Sequence, residues 1–115
     1  MVNNMAWIEV VTNTRPHTFG VYVEKGFIDL SRVEEVQVQK LREPDDALIT
    51  LLDKDRRKLG SLNVPTDKAY EIAHKIMNLI NLSKEGKVPN LMIKYREGVL
   101  LQYSPNKNAW EPLKI

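Results

Sequence analysis

The chain contains 115 residues, of which 43% are hydrophobic and 28% are charged, and this composition is ordinary for one globular domain. Seventeen Lys and Arg residues against fifteen Asp and Glu residues leave a net charge of +2, so the overall field alone does not recruit a polyanion. The absence of cysteine excludes disulfides, thiol nucleophiles and metal sites built on thiolates.

The N-terminal sequence MVNNMAWIEVV does not have the pattern of a secretory signal, because it lacks a basic start and a continuous apolar run. Apolar stretches elsewhere fall short of the roughly 20 residues that a membrane span requires. We therefore expect a cytoplasmic protein with no membrane span.

The first part of the chain is predicted to form β-strands. Residues 7–11 are mainly apolar, and the turn formers of TNTRPH (12–17) predict a loop after them. Residues 18–24 alternate with period two, which is typical of a strand. The stretch DLSRVEEVQVQKL (29–41) is compatible with a helical turn starting at Ser31 or with a strand, and we favour a short turn that leads into a strand.

A charged segment, DKDRRK, lies between two stretches rich in β-forming residues, Ala47–Leu52 and Lys58–Val64. This arrangement predicts a hairpin with a loop of about four to six residues. Asp53 and Asp55 resemble the start of a calcium loop, but the glycine and the distal glutamate of such a loop are missing, and the following arginines would repel the ion. A solvated turn is therefore the favoured interpretation.

Residues 66–83 are predicted to form an amphipathic helix. Thr66 is placed to cap it, and Asp67 suits the positive end of the helix dipole. The apolar residues at helical spacing are Ala69, Ile72, Ala73, Ile76, Leu79 and Ile80. This face is expected to pack on the sheet.

The last part of the chain predicts a second hairpin, in which LMIKY and VLLQY flank Arg96-Glu97-Gly98. We expect alternate residues of the two strands to face each other across this hairpin, with Leu91, Ile93 and Tyr95 opposite Val99, Leu101 and Tyr103. The predicted fold class is α+β: a twisted antiparallel sheet of hairpins, of about five to seven strands, closed by the helix at 66–83. We expect one domain over residues 1–115, with its core at 6–83 and a C-terminal β-hairpin extension at 88–115.

Residues with catalytic or metal-binding chemistry form no recognised motif. Glu71 and His74 have the E-x-x-H spacing of di-metal helix bundles, but such sites repeat the motif on several helices. The serines lie outside nucleophile motifs, and the glycines are scattered singly. We therefore predict no enzyme activity, no catalytic or metal-binding residues and no cofactor, and no small-molecule ligand is indicated.

Two sets of side chains are candidates for binding. Basic residues near aromatic rings favour contact with nucleic acid, and the candidates are Arg56, Arg57, Lys58, Lys94, Arg96 and Lys107. Large aromatic residues favour protein interfaces where they are exposed, and the candidates are Trp7, Tyr22, Tyr103 and Trp110. The same rings are equally compatible with a role in the core or in cross-strand packing.

The sequences GFIDLSRVEEVQV and ALITLLDKDRRKLGSLNVPTDKAYEIAHKIMNLI give the order strand, I-x-L-x-x-V segment, charged hairpin and amphipathic helix. Over roughly residues 6–82 this order resembles small PH-like domains of bacteria and phages and the short FlbD-type flagellar proteins. The resemblance implies a bacterial or phage protein with a bent sheet closed by a helix and used for binding. Residues 88–115 depart from that pattern, so no binding residue is transferred.

Together these features predict a non-enzymatic binding or regulatory module that acts through protein–protein contacts and associates with itself. The alternative is a protein that binds RNA or single-stranded DNA with its basic, tyrosine-bearing C-terminal hairpin.

Overall fold

The computed structural model describes residues 5–41 and 45–114. Within them, eight strands form one sheet and a single α-helix lies beside it. The predicted α+β class is confirmed, since the structure consists mostly of strands in one curled sheet with one helix. The sheet has eight strands, which is more than the five to seven predicted. No helix in these two ranges is long and apolar enough to cross a membrane.

The elements follow one another along the chain with two short 3-10 turns among them. The strands are β1 (Ala6–His17), β2 (Gly20–Asp29), β3 (Glu35–Lys40), β4 (Asp46–Leu52), β5 (Lys58–Pro65), β6 (Leu91–Arg96), β7 (Val99–Ser104) and β8 (Ala109–Pro112). The α-helix α1 (Ala69–Lys84) connects β5 to β6, and the 3-10 turns cover Leu30–Arg32 and Thr66–Lys68.

Strand β1 is the centre of the sheet, whose order is β3-β4-β5-β1-β6-β7-β8, with β2 on the other edge of β1. The edge of β1 that faces away from β2 is shared: β6 pairs with residues 6–8, and β5 pairs at Val11. The sheet therefore forks along β1.

The antiparallel sheet predicted from the sequence requires one correction, because β1 and β6 run parallel from Ala6↔Leu91 to Ile8↔Ile93. Short turns force neighbouring strands to be antiparallel, but these two strands lie far apart in the chain and are connected through a helix. No local signal therefore sets their relative direction.

The loop predicted at residues 12–17 is also wrong, since these residues continue β1 and pair with β2 as far as His17↔Gly20. The chain reverses at Thr18 and Phe19, and Gly20 adopts a φ of 141°. Pairing with β2 satisfies the backbone of a polar sequence that the turn propensities alone assign to a loop.

Helix α1 covers one face of the sheet, called here the inner face. The largest fully buried side chains of this core include Ile8, Ile49, Leu51, Ile72, Ile76, Leu79 and Ile93. The helix begins at Ala69 after a 3-10 turn, three residues later than predicted, and the predicted cap by the Thr66 side chain is absent. The Thr66 hydroxyl is buried and has no hydrogen-bond partner among the described residues.

Strands β6 and β7 are joined by two residues, not by three as predicted, because Arg96 pairs with Val99. Glu97 and Gly98 both have positive φ, 49° and 89°, as a two-residue hairpin turn of type I′ requires. This turn shifts the register by one residue, so Tyr95 lies opposite Leu100. The residues predicted to face Tyr95, including Tyr103, therefore lie on the opposite face of the sheet.

We predict that Gly60→Ala destabilises the protein by about 1–3 kcal/mol, because it overpacks the fork of the sheet. A Cβ atom at Gly60 would lie 2.2 Å from Val10 Cγ2 and 2.7 Å from Val10 Cβ. Urea unfolding measures the change in the free energy of unfolding. The matched control is Gly26→Ala, whose Cβ would meet Thr12 Cγ2 at an ordinary 3.5 Å. Equal midpoints for the two variants would contradict the close approach of β5 to β1.

Candidate binding face

The face of the sheet opposite α1, called here the outer face, carries large apolar side chains that are not buried. Met92 is 37% exposed, Phe27 38% and Val99 49%. A sheet that leaves one face to solvent usually alternates apolar and polar residues so that the open face is polar. The outer face departs from that pattern and is the candidate binding face.

An aromatic cluster, made of Phe27, Tyr103, Trp110 and the side chain of Lys94, lies at one end of the outer face. The ring of Trp110 stacks on Phe27 with a centroid distance of 6.4 Å and an interplanar angle of 6°. Tyr103 meets Trp110 edge-on at 5.4 Å, and Lys94 Nζ lies 4.2 Å from the Trp110 ring centroid. Strands β2 and β8 are four positions apart, so this stacking requires the curl of the sheet.

The C-terminal cations predicted to contact nucleic acid are mostly engaged within the protein. Lys94 lies on the Trp110 ring, and Lys107 Nζ is 3.3 Å from Glu111 Oε2. The hydrogen bond from Lys107 holds the pKa of the Glu111 carboxyl below its ordinary value, and Lys114 adds to this effect. Arg96 is exposed and forms no ion pair within the described chain.

The tip of the β4–β5 hairpin is fixed by an ion pair to β3 and by hydrogen bonds to the side chain of Asp53. The Arg56 guanidinium approaches both carboxylate oxygens of Glu35, at 3.1 and 3.3 Å. Asp53 Oδ1 accepts hydrogen bonds from the backbone N–H groups of Asp55 and Arg57, both at 2.9 Å. The bond from Arg57 is the main reason why the pKa of Asp53 lies below its ordinary value. This geometry is that of a solvated turn closed by an Asp side chain.

A cavity of about 440 Å³ opens where β1 leaves β6 and meets β5, and it is called here the acceptor cavity. Its lining is mixed and combines apolar side chains with charged side chains of both signs. The lining residues include Glu9, Val11, Asn13, Thr14, Val23, Lys25, Leu48, Lys58, Ser61, Leu62, Asn63 and Tyr95. Lys58 and Tyr95, from different hairpins, thus share one site. The described residues contain no group of three or more His, Cys, Asp or Glu side chains arranged to hold a metal ion.

Residues 13–24 form a two-stranded extension of β1 and β2, called here the β-ribbon, which carries the two most exposed large apolar side chains of the described chain, Phe19 and Val21. Phe19 at its tip is 93% exposed, Val21 68%, Tyr22 60% and Val23 46%. The predicted interface residue Tyr22 therefore lies here and is exposed, whereas Trp7, Tyr103 and Trp110 are half-buried on the sheet. The predicted interface residues do not form one patch.

A bulge gives the β-ribbon one apolar face. The register of β1 and β2 shifts between Val11 and Asn13, which places Thr14 opposite Val23 and Pro16 opposite Val21. Without this shift, Asn13 and Arg15 would share the outer face with Val21 and Val23, since side chains alternate along a strand. The other face of the β-ribbon carries an ion pair between Arg15 and Glu24.

The residues on the outer face of the β-ribbon were not recognised from the sequence. The period-two pattern at residues 18–24 predicted a strand, but the polar sequence of residues 12–17 concealed its partner. The available signal in the sequence was the recurrence of Phe19, Val21 and Val23 at period two directly after the proline-containing stretch 12–17.

We predict that Asp53→Asn weakens stability at about pH 7 and less so at about pH 3. The pKa of Asp53 is lowered in the folded state, so its contribution to stability is present above the unfolded pKa and is lost as the pH falls through the folded pKa. Asn keeps the Oδ1 acceptor but not the charge. Urea unfolding of wild type and variant at both pH values measures the difference. The control is Asp55→Asn, whose carboxylate accepts no hydrogen bond from the described residues. A pH-independent difference for Asp53→Asn would refute the assignment.

Comparison with known proteins adds no family to this description. No protein-family model matches the chain, and neither a curated protein nor a solved structure is significantly similar to it. The candidate binding face therefore has to be interpreted from its own geometry.

Proposed function

We propose that this protein is a non-enzymatic binding module that engages a protein partner through the outer face of its sheet and the β-ribbon. The observation that carries the proposal is the exposed apolar set Phe19, Val21 and Val23 at the tip and on the outer face of the β-ribbon, with exposed fractions of 93%, 68% and 46%. Scattered apolar side chains are ordinary on a protein surface, but a contiguous apolar patch marks a site of interaction.

The composition of this surface supports a protein partner. Aromatic side chains in the centre of an interface contribute most of the binding energy when they are desolvated in a pocket. Phe19 is available for such contacts at the tip of the β-ribbon, and Phe27 adds a partly exposed ring on the outer face of the sheet. Tyr22 is exposed as well, but it lies on the other face of the β-ribbon, beside Arg15. Polar groups of the acceptor cavity, such as Asn63 and Lys25, supply a rim that directs the orientation of the partner.

We predict that the immobilised double variant Phe19→Ser, Val21→Ser captures at least about tenfold less partner protein than the immobilised wild-type chain. The reason is that truncation of a hot-spot residue typically weakens binding by about 2 kcal/mol or more. Capture from an extract of the source cells, after nuclease treatment, is quantified by mass spectrometry. The matched control is Tyr70→Ser, Met77→Ser on α1, where the side chains are 66% and 50% exposed. An identical set of captured proteins for wild type and both variants would refute the proposal.

Nucleic-acid binding is the competing function, and two observations favour it. Lys58 and Tyr95 both line the acceptor cavity, and Arg57 and Arg96 have no ion-pair partner in the described chain. Against it, Lys94, Lys107 and Arg56 are held by Trp110, Glu111 and Glu35. Fewer cations are therefore free to neutralise phosphates than the sequence suggests.

We predict that Arg57→Glu, Arg96→Glu leaves the capture of protein partners unchanged. These two residues are chosen because their replacement breaks no ion pair of the described structure. Fluorescence anisotropy with labelled single-stranded RNA and DNA, at low and physiological salt, measures nucleic-acid binding in parallel. A wild-type chain that binds the oligonucleotide with strong salt dependence, and loses this binding in the variant, would establish the competing function instead.

A further inference from the structure

The apolar face of the β-ribbon is left exposed by the other described elements of the chain. From Asn13 to Glu24, β1 and β2 pair with each other, and the pairing of β1 with β5 occurs at Val11. A two-stranded hairpin is marginally stable in water unless its apolar face packs against a further strand or element. The partner of this surface is therefore expected to contribute to the order of the β-ribbon itself.

We propose that the partner is a second copy of this chain, with two β-ribbons packed antiparallel and apolar face to apolar face about a twofold axis. In this dimer the Phe19 side chain of each copy enters the acceptor cavity of the other. The inference rests on the proposed function, because it names the partner of the same surface.

The dimensions of the β-ribbon fit this exchange. Thr14 and Val23 form a cross-strand pair that lines the acceptor cavity, and Phe19 lies at the tip of the same β-ribbon. An extended chain rises about 3.3 Å per residue, so Phe19 lies roughly 17 Å from the cavity of its own copy. When two such ribbons lie antiparallel, the tip of one reaches the base of the other. A twofold axis satisfies both contacts at once, as an isologous interface requires.

The chemistry of the acceptor cavity fits a phenyl ring. Its walls include Val11, Leu48 and Val23, and its volume of about 440 Å³ exceeds the roughly 150 Å³ that encloses a benzene molecule in an apolar protein cavity. Lys25 and Lys58 are also part of the lining, and an ammonium group there can contact the face of an inserted ring. The cavity therefore offers both burial and a cation to Phe19.

Charge favours a second copy as the partner, because the apolar face of the β-ribbon is compatible with itself. The apolar face of the β-ribbon carries no ionisable group at Thr14, Pro16, Val21 or Val23, so identical faces meet without repulsion. The net charge of +2 also opposes association only weakly. The apolar face and the tip of the β-ribbon, together with the cavity lining, comprise roughly 16 residues, a little below the roughly 20 that a standard interface contributes from each side.

Cysteine cross-linking tests the arrangement directly, because the chain contains no cysteine of its own. We predict that the double variant Phe19→Cys, Asn63→Cys forms a covalent dimer under mild oxidation, since Asn63 lines the cavity that receives Phe19. Two cysteines are bridged only when their Cα atoms lie within about 7 Å. Non-reducing gel electrophoresis measures the dimer. Phe19→Cys alone is the control, and a rate equal to that of the double variant would indicate tip-to-tip contact and overturn the proposal.

The oligomeric state provides the second measurement. We expect light scattering to show a dimer of the wild-type chain, and Phe19→Asp to weaken the dimer at least about tenfold. Tyr70→Asp is the matched control, because Tyr70 is an exposed aromatic residue on α1, away from the β-ribbon. Phe19 is 93% exposed, so its replacement leaves the core intact, and circular dichroism checks this.

The outcomes separate the two proposals. A wild-type chain that stays monomeric up to about 100 µM overturns the second-copy dimer. If the monomeric wild-type chain captures a different protein, and replacement of Phe19 and Val21 abolishes that capture, the proposed function stands with another partner. If the replacements change neither capture nor oligomeric state, both proposals fail.

Discussion

The fold depends on the close approach of β5 to β1 at the fork of the sheet. Gly60 allows it, because any side chain at this position would overlap Val10. On the inner face the approach places Leu62 and Val64 beside Ile8 and Val10, where α1 covers them. On the outer face the same divergence of β5 from β6 opens the acceptor cavity. Stability and the candidate site therefore arise from one backbone contact.

The bulge at the end of the paired part of β1 links the sheet to the β-ribbon. Along β2 the side chains continue to alternate between the two faces of the sheet, whereas along β1 the bulge exchanges the faces for the residues after Val11. Thr14 and Pro16 therefore join Val21 and Val23 on the outer face. Exposure of the resulting apolar face to water disfavours the folded β-ribbon, since a two-stranded ribbon buries little surface of its own. Such a cost is reasonable where the surface is covered in a complex. The bulge and the short tip also limit uncontrolled edge-to-edge pairing, which exposed apolar strands otherwise promote.

The features predicted correctly from the sequence are those set by local periodicity. The helical spacing from Ala69 to Ile80 defined the buried face of α1, and the period-two pattern near Val21 defined a strand. The wrong predictions concern contacts between distant residues. The parallel pairing of Ala6 with Leu91 has no local signal, and a single residue of turn length decided the register around Tyr95. The stacking of Phe27 on Trp110 depends on the curl of the whole sheet, which no segment encodes alone.

The aromatic cluster changes which residues are available for recognition. The sequence assigned Tyr103, Trp110 and Lys94 to binding surfaces, but these side chains contact one another and join β8 to β2 across the curled sheet. A ring already packed on both a cation and an aromatic neighbour gains less from a ligand than a ring surrounded by water, because its favourable contacts are already made. Under the proposed function, the contacts with a partner would come from the side chains that the fold leaves uncovered. Phe19 is the most exposed of these, and the curl that closes the aromatic cluster leaves the β-ribbon outside it, where a partner can reach it.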